Sequence, residues 1–269
     1  MDKNLDNYSI RSAFIRKMAL RVNLDNDDIH ALNAATEQVS QIEEGRDVVI
    51  EGEVPEYAHI ILKGFACRYN VVAGGGRSIV AYLVPGDGCD LHASVLKRMS
   101  HSVSTVTSCT VASIPYRKIK EMAAYRPNIY LALWWSVLVD ESILREWLVG
   151  VGRRSADRQV AHFLCEVLAR LQAVGIAMEP DYKLPLTQSE LADTAGLSHM
   201  HVHRVLTTLR KEGLIESKRK GLVVPDPKRL EAFANFDNRY LHLPEISEVS
   251  DPPHELSHAT RLEFERRFN

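Results

Sequence analysis

The residues best suited to chemistry lie in one run, Thr187 to Glu212, which reads TQSELADTAGLSHMHVHRVLTTLRKE. Within it His199, His203, Arg204, Thr207 and Lys211 fall on one side of a helical spacing. These are hydrogen-bonding and cationic side chains, the kind that reads base edges in a DNA groove. The opposite side is apolar, since Val202, Val205, Leu206 and Leu209 recur at i, i+3, i+4 and i+7 and make one buried stripe. His199 and His203 also stand one turn apart, a geometry that can hold zinc. No motif places a third ligand beside them, and the same face is wanted for DNA, so a metal-binding sensor is the lesser reading.

The elements that position this face can be read from local signals. Thr187 and Glu190 have the spacing of a capping box, with Leu186 and Leu191 as its hydrophobic staple, so a helix starts at Gln188. Gly196 suits the left-handed turn that ends it. Ser198 caps a second helix, stapled by Leu197 and Val202. With Ala192 small at the crossing, the pair reads as a helix-turn-helix. Leu214 and Ile215, the basic turn Lys218-Arg219-Lys220-Gly221 and the run Leu222 to Val224 then read as a β-hairpin wing with a cationic tip. The expected DNA-contacting set is Thr187, Gln188, Ser189, Ser198, His199, Met200, His203, Arg204, Thr207, Lys211, Lys218, Arg219 and Lys220.

Bulk properties agree with a local interface. The chain has 269 residues, enough for two domains with their own cores, and its net charge is −2. A uniformly basic protein is excluded, so DNA binding must rest on a patch. Ser198 to Gly221 holds six Lys/Arg against two Glu, which is such a patch. The N-terminus has no signal-peptide core and no apolar run spans a bilayer, so a cytoplasmic protein without a membrane partner is expected. Cys67, Cys89, Cys109 and Cys165 are dispersed and form no metal or iron–sulfur motif. No nucleophile elbow, HExxH, P-loop or dinucleotide fingerprint is present, so an enzyme is not expected.

In chain order, Ile10, Phe14 and Met18 suggest an entry helix, and Leu24 to Val39 a second one opened by Asp25, Asp27 and Asp28. Short apolar segments then alternate with turns: Val48 to Ile50, Ala58 to Leu62, Phe65 to Val72, Ile79 to Val84, Val103 to Thr107 and Thr110 to Ile114. They predict an all-β barrel or jelly roll, with Gly74 to Gly76 as a hairpin loop. Tyr116 to Met122 begins a helical region. A long helix follows from Pro127 to Val151, with Tyr130, Leu133, Val137, Asp140, Leu144, Trp147 and Val151 as a coiled-coil seam. Asp140 is the exception in that seam. Leu133, Val137, Leu144 and Trp147 are the expected pairing residues between two copies. Gly150 to Arg154 reads as a hinge. Ser155 caps the next helix, and Lys228 to Phe236 closes the winged unit. Beyond Asn238 the composition suggests a weakly ordered tail, helical near Leu262 to Phe268.

This order resembles the catabolite-activator and fumarate-nitrate-regulator (CRP/FNR) family of bacterial transcription factors. The resemblance is carried by LTQSELADTAGLSHMHVHRVLTTLRKEGLI, Leu186 to Ile215, and by EGRDVVIEGE, AHIILKGFACRY and YLVPGD upstream. It implies an α+β chain: an N-terminal segment at 1–23, a cyclic-nucleotide-binding-like β-roll (jelly roll) at 24–122, a dimerisation helix and hinge at 123–152, a winged helix-turn-helix at 153–233 and a tail at 234–269. It further implies a homodimer on a palindromic site in double-stranded DNA. It leaves contact with RNA polymerase open. Arg204 matches the family's base-contacting arginine, while His199 and Met200 depart from its usual residues. The implied effector pocket involves Asp90, Leu91, His101 and Ser102. His101 stands where cyclic-AMP-binding members carry an arginine, so cyclic AMP does not carry over and the effector is unidentified. The alternative is a β-roll that binds no small molecule and serves only dimerisation and activation.

Overall fold

The computed structural model describes residues 13–179, 181–219 and 221–244. Alternation of inward apolar and outward polar residues makes seven strands in the first half. They are β1 (Val39–Ile42), β2 (Asp47–Val49), β3 (Tyr57–Lys63), β4 (Ala66–Val71), β5 (Arg77–Leu83), β6 (Ser102–Thr105) and β7 (Cys109–Pro115). All pair antiparallel, in one sheet of order β1-β7-β3 and another of order β2-β6-β4-β5. Ile60 and Val111 of the first sheet share a buried cluster with Val49, Leu83 and Val103 of the second. The two sheets thus close on one core, as a roll must. The Gly74–Gly76 run turns β4 into β5, with the Val72 N–H donating to the Gly76 carbonyl.

Around the roll lie α1 (residues 13–18), α2 (Asn26–Ala35), the short α3 (Ala93–Leu96) and α4 (Tyr116–Tyr125). Asp25 and Asp28 form a capping box at the start of α2. That helix ends at Thr36, not Val39; Val39 instead opens β1, because pairing with β7 satisfies its backbone. Helix α5 (Pro127–Arg153) then runs without a break through Gly150 and Gly152. The expected hinge over Gly150 to Arg154 is therefore corrected: only Arg154 and Ser155 separate α5 from α6 (Ala156–Ala173). A helical hydrogen bond from Arg154 N to Gly150 O keeps the glycines in the helix.

The second half holds β8 (Lys183–Leu184), α7 (Gln188–Ala195), α8 (His199–Lys211), β9 (Glu216–Lys218), β10 (Gly221–Val223) and α9 (Pro227–Ala234). The strands form an antiparallel sheet of order β8-β10-β9. Helix α6 is buried from Val160 to Leu168, because the winged unit lies on one side and the roll on the other. Phe65, Ile79 and Tyr82 of the roll share a cluster with Leu164, Leu191 and Val205. The tail is also corrected at its start. Asn238–Leu241 forms a 3-10 turn whose Leu241 is buried against Val139 and Ile143 of α5. Ile10 of the entry helix and the expected helix at Leu262 to Phe268 lie outside the described residues. Among the described residues, no helix is long and apolar enough to cross a membrane.

Polar bridges tie the halves together. Asp87, in the turn after β5, receives Lys17 Nζ at 2.6 Å and the Arg170 guanidinium of α6. Burial opposes its charge, but Lys17 and Arg170 outweigh that and hold its pKa down at about 2. On the surface Arg77 Nε of β5 meets Asp193 of α7 at 2.8 Å. Asp87→Ala would take the carboxylate from Lys17 and leave Arg170 with Glu166, and is expected to cost about 3–5 kcal/mol. Urea unfolding of the variant at pH 7 checks this; a loss below about 1 kcal/mol would mean that the pair is dispensable.

Candidate nucleic-acid interface and β-roll compartment

Helix α7 starts on its capping box. Thr187 Oγ1 accepts from the Glu190 N–H at 3.2 Å, and Glu190 Oε2 accepts from the Thr187 N–H at 2.7 Å. Gly196 ends it at φ +64°, in the left-handed region where a Cβ is strained. Ser198 Oγ then accepts from the His201 N–H at 3.3 Å and opens α8. Gln188 Nε2 donates to the His199 carbonyl at 2.7 Å and locks the two helix starts together. Thr187 and Gln188 thus serve first to hold the helix pair.

Val202, Val205, Leu206 and Leu209 of α8 are buried. Burying each stabilises by about 1.5–3 kcal/mol, enough to fix which face is left outside. That outer face presents Ser198, His199, Met200, His203, Arg204 and Lys211, all exposed, with Thr207 half-buried. The Arg204 side chain makes no hydrogen bond or ion pair among the described residues. Thr207 Oγ1 donates to the His203 carbonyl and accepts from Arg210 Nη2 at 3.2 Å. Ser189 is exposed at the front of α7. Beside His199 and His203 no third metal donor is grouped among the described residues.

Arg210 is a residue that charge counting alone did not single out. Its Nε donates to the Leu206 carbonyl at 3.0 Å and its Nη1 to Ser217 Oγ of β9 at 3.4 Å. It therefore bridges α8 to the wing. Arg229 Nη2 donates to the Glu212 carbonyl at 2.6 Å and caps the end of α8. On the wing, Lys218 and Arg219 are exposed, with Lys218 Nζ 3.0 Å from Glu216. Lys220 lies outside the described residues.

At the expected effector positions of the roll, Asp90 and Ser102 meet groups of the chain itself. Asp90 is buried, and both its oxygens serve His59, one from the backbone N–H and one at the ring Nδ1, each at 2.8 Å. Ser102 Oγ accepts from the Glu51 N–H at 2.9 Å, and Leu91 is buried. Burial, with Arg68 and His92 nearby, lowers the pKa of His101 to about 4, so it offers no cation at neutral pH. A cation held inside the roll is Arg68 of β4, missed at the sequence level. It donates to the carbonyls of Cys89 (3.0 Å) and Gly88 (2.8 Å) and to Asp140 of α5 at 2.9 Å. Asp140 in an apolar seam was the one sequence signal for it.

The seam of α5 is shared between the roll, α6 and the surface. Ile129, Ala132, Ser136, Val139 and Ile143 are buried, and Leu133 and Val137 pack against the roll's core. Trp147 Nε1 donates to Glu166 of α6 at 2.9 Å. Of the four expected pairing residues, only Leu144 is exposed. It belongs to a free apolar stripe with Tyr130, Leu131, Trp134, Leu138, Leu148 and Val151.

The chain matches the family model of a Crp-like helix-turn-helix domain over residues 158–233 and that of a cyclic nucleotide-binding domain over residues 39–126. It is similar to the nitrogen fixation regulation protein FixK of Bradyrhizobium diazoefficiens, 29% identical over 221 residues that cover 82% of this chain and 91% of that protein. It is 30% identical over 187 residues to the transcriptional activatory protein AadR of Rhodopseudomonas palustris, covering 68% of this chain and 76% of the relative. The solved structure of FixK2 from Bradyrhizobium japonicum shares the fold with a TM-score of 0.65 at 22% identity, over 72% of this chain and 96% of that one.

His162 of α6, like His101, has its pKa lowered to about 4, by burial first and then by Arg154. Unfolding returns both imidazoles to their usual 6.5, so the unfolded chain takes up protons first. Stability is thus full above about pH 6.5 and falls as the pH drops toward 4. Urea unfolding at pH 7.5 and pH 5 checks this: the midpoint is expected to be lower at pH 5, and less so in a His101→Leu/His162→Leu variant. Equal midpoints in the wild-type chain would contradict it.

Proposed function

The chain belongs to the CRP/FNR family of transcriptional regulators, and from that premise we propose that it acts as a homodimer whose two α8 helices read a palindromic DNA site. The carrying observation is the outer face of α8, where Arg204 stands exposed between His203 and Thr207, its side chain unpaired among the described residues. An arginine so placed can bind guanine O6 and N7 in a bidentate way. His199, Met200 and Lys211 flank it, and Lys218 and Arg219 of the wing meet the backbone phosphates. The free stripe of α5 from Tyr130 to Val151 supports pairing with a second copy, since an apolar surface of this kind is rarely left in water. Two helix-turn-helix units related by a two-fold axis then meet half-sites about 34 Å apart. The setting is the cytoplasm, and RNA polymerase is the partner through which such a dimer acts.

The roll's own contacts favour the reading without a cyclic nucleotide. Asp90, Ser102 and Arg68 already satisfy groups of the chain itself, and His101 is neutral. A cyclic phosphate needs a fixed cationic fork, and Arg68 is committed to Asp140. The β-roll then serves as a module for dimerisation and activation.

Arg204→Ala is expected to weaken operator binding by about 1–3 kcal/mol and to relax one base position in each half-site. Fluorescence anisotropy on a set of operator variants checks this, and unchanged affinity would remove Arg204 from the groove. Cyclic AMP at millimolar concentration is expected to leave the operator Kd within about twofold; tightening of tenfold, about 1.4 kcal/mol, would restore a nucleotide pocket.

A further inference from the structure

The chain past α9 leaves the winged unit's core at Phe236, which packs on its edge, and goes on to contacts with α5. The helix-turn-helix family model ends at residue 233. Residues 236–244 turn back from there and cross onto α5 and α6. Phe236 meets the His162 ring edge-on at 4.9 Å, and Tyr240 stacks on the same ring at 5.8 Å and 17°. Tyr240 Oη donates to Glu166 Oε2 at 3.0 Å, the oxygen that also accepts from Trp147 Nε1. Leu241 is 1% exposed and packs with Val139 and Ile143. Asp237 opens the turn by accepting from the Arg239 N–H at 3.0 Å.

The mechanical setting gives these contacts meaning. Arg154 and Ser155, both extended, are the only residues between α5 and α6. A two-residue junction allows rotation unless another link spans it. Residues 236–244 supply one, because they start at the last helix of the winged unit and end on α5. Glu166 at the crossing is fully buried, and its carboxylate needs partners there. Arg170 Nη1, Trp147 and Tyr240 provide them from α6, α5 and the returning segment.

We propose that residues 236–244 are an intrachain strap that fixes the winged-helix unit at one angle to α5, fastened by Tyr240 on Glu166. The strap works in the free chain and does not depend on what the winged unit binds. Hydrogen exchange of the full chain, read by mass spectrometry, tests it. In Tyr240→Ala/Leu241→Ala the peptide over residues 150–158 is expected to exchange at least about tenfold faster, while β3 and β7 keep their wild-type protection. Wild-type exchange over residues 150–158 in that variant, with β3 and β7 unchanged, would overturn the strap. Should the double variant lose the protection of β3 and β7, Tyr240→Phe decides. It keeps the ring and removes only the hydroxyl donor. A threefold or greater acceleration over residues 150–158 supports the fastening, and no acceleration overturns it.

Discussion

The buried carboxylate of Asp87 is the constraint on which the arrangement of the two halves depends. It sits in the turn after β5, accepts from the Val84 N–H, and binds Lys17 of α1 and Arg170 of α6. A lone charge in such a place costs several kcal/mol, so losing the carboxylate leaves Lys17 without its partner in the roll and Arg170 without its tie to the β5 turn. Arg170 also holds the Tyr82 carbonyl and Glu166, so the same guanidinium reaches from the roll to the interior of α6. From Glu166 the network passes to Trp147 on α5 and Tyr240 beyond α9. One connected set of buried polar groups therefore ties together the roll, the long helix and the winged unit.

Among the described residues, that set leaves two surfaces unsatisfied by the chain itself. One is the outer face of α8 with the wing tip, polar and cationic. The other is the apolar stripe of α5. The first suits a nucleic acid and the second suits a like helix, and a two-fold dimer on duplex DNA uses both. The roll, by contrast, has turned its polar interior toward its own backbone and toward α5. Arg68–Asp140 makes that turn concrete, since a residue inside the roll is held by the helix that carries the free stripe.

Local signals were legible in the sequence where one short stretch determines the outcome. The Thr187–Glu190 box, Gly196 and the stripe from Val202 to Leu209 depend on neighbours within a turn or two, and the structure has them as read. Strands β2 to β7 were legible for the same reason, through alternation and glycine turns, whereas β1 was not. What was not legible depends on distant partners. Asp140 reads as a fault in a heptad until Arg68, from a strand far back in the chain, is seen beside it. Leu133 and Trp147 fit a seam by spacing, yet the roll and α6 claim them. Gly150 and Gly152 suggest a hinge by composition, but helix hydrogen bonds on both sides override the weak propensity. Asp90 and Ser102 were placed by order along the chain, and only the fold shows that His59 and Glu51 are their partners.

The central claim is that the α8 face reads DNA as one half of a two-fold pair. Selection of binding sites from a random double-stranded library with the purified full-length protein tests it most directly. The account predicts an enriched palindrome with half-site centres about 10–10.5 base pairs apart. Enrichment of a single unrepeated half-site, or of no sequence at all, would contradict it.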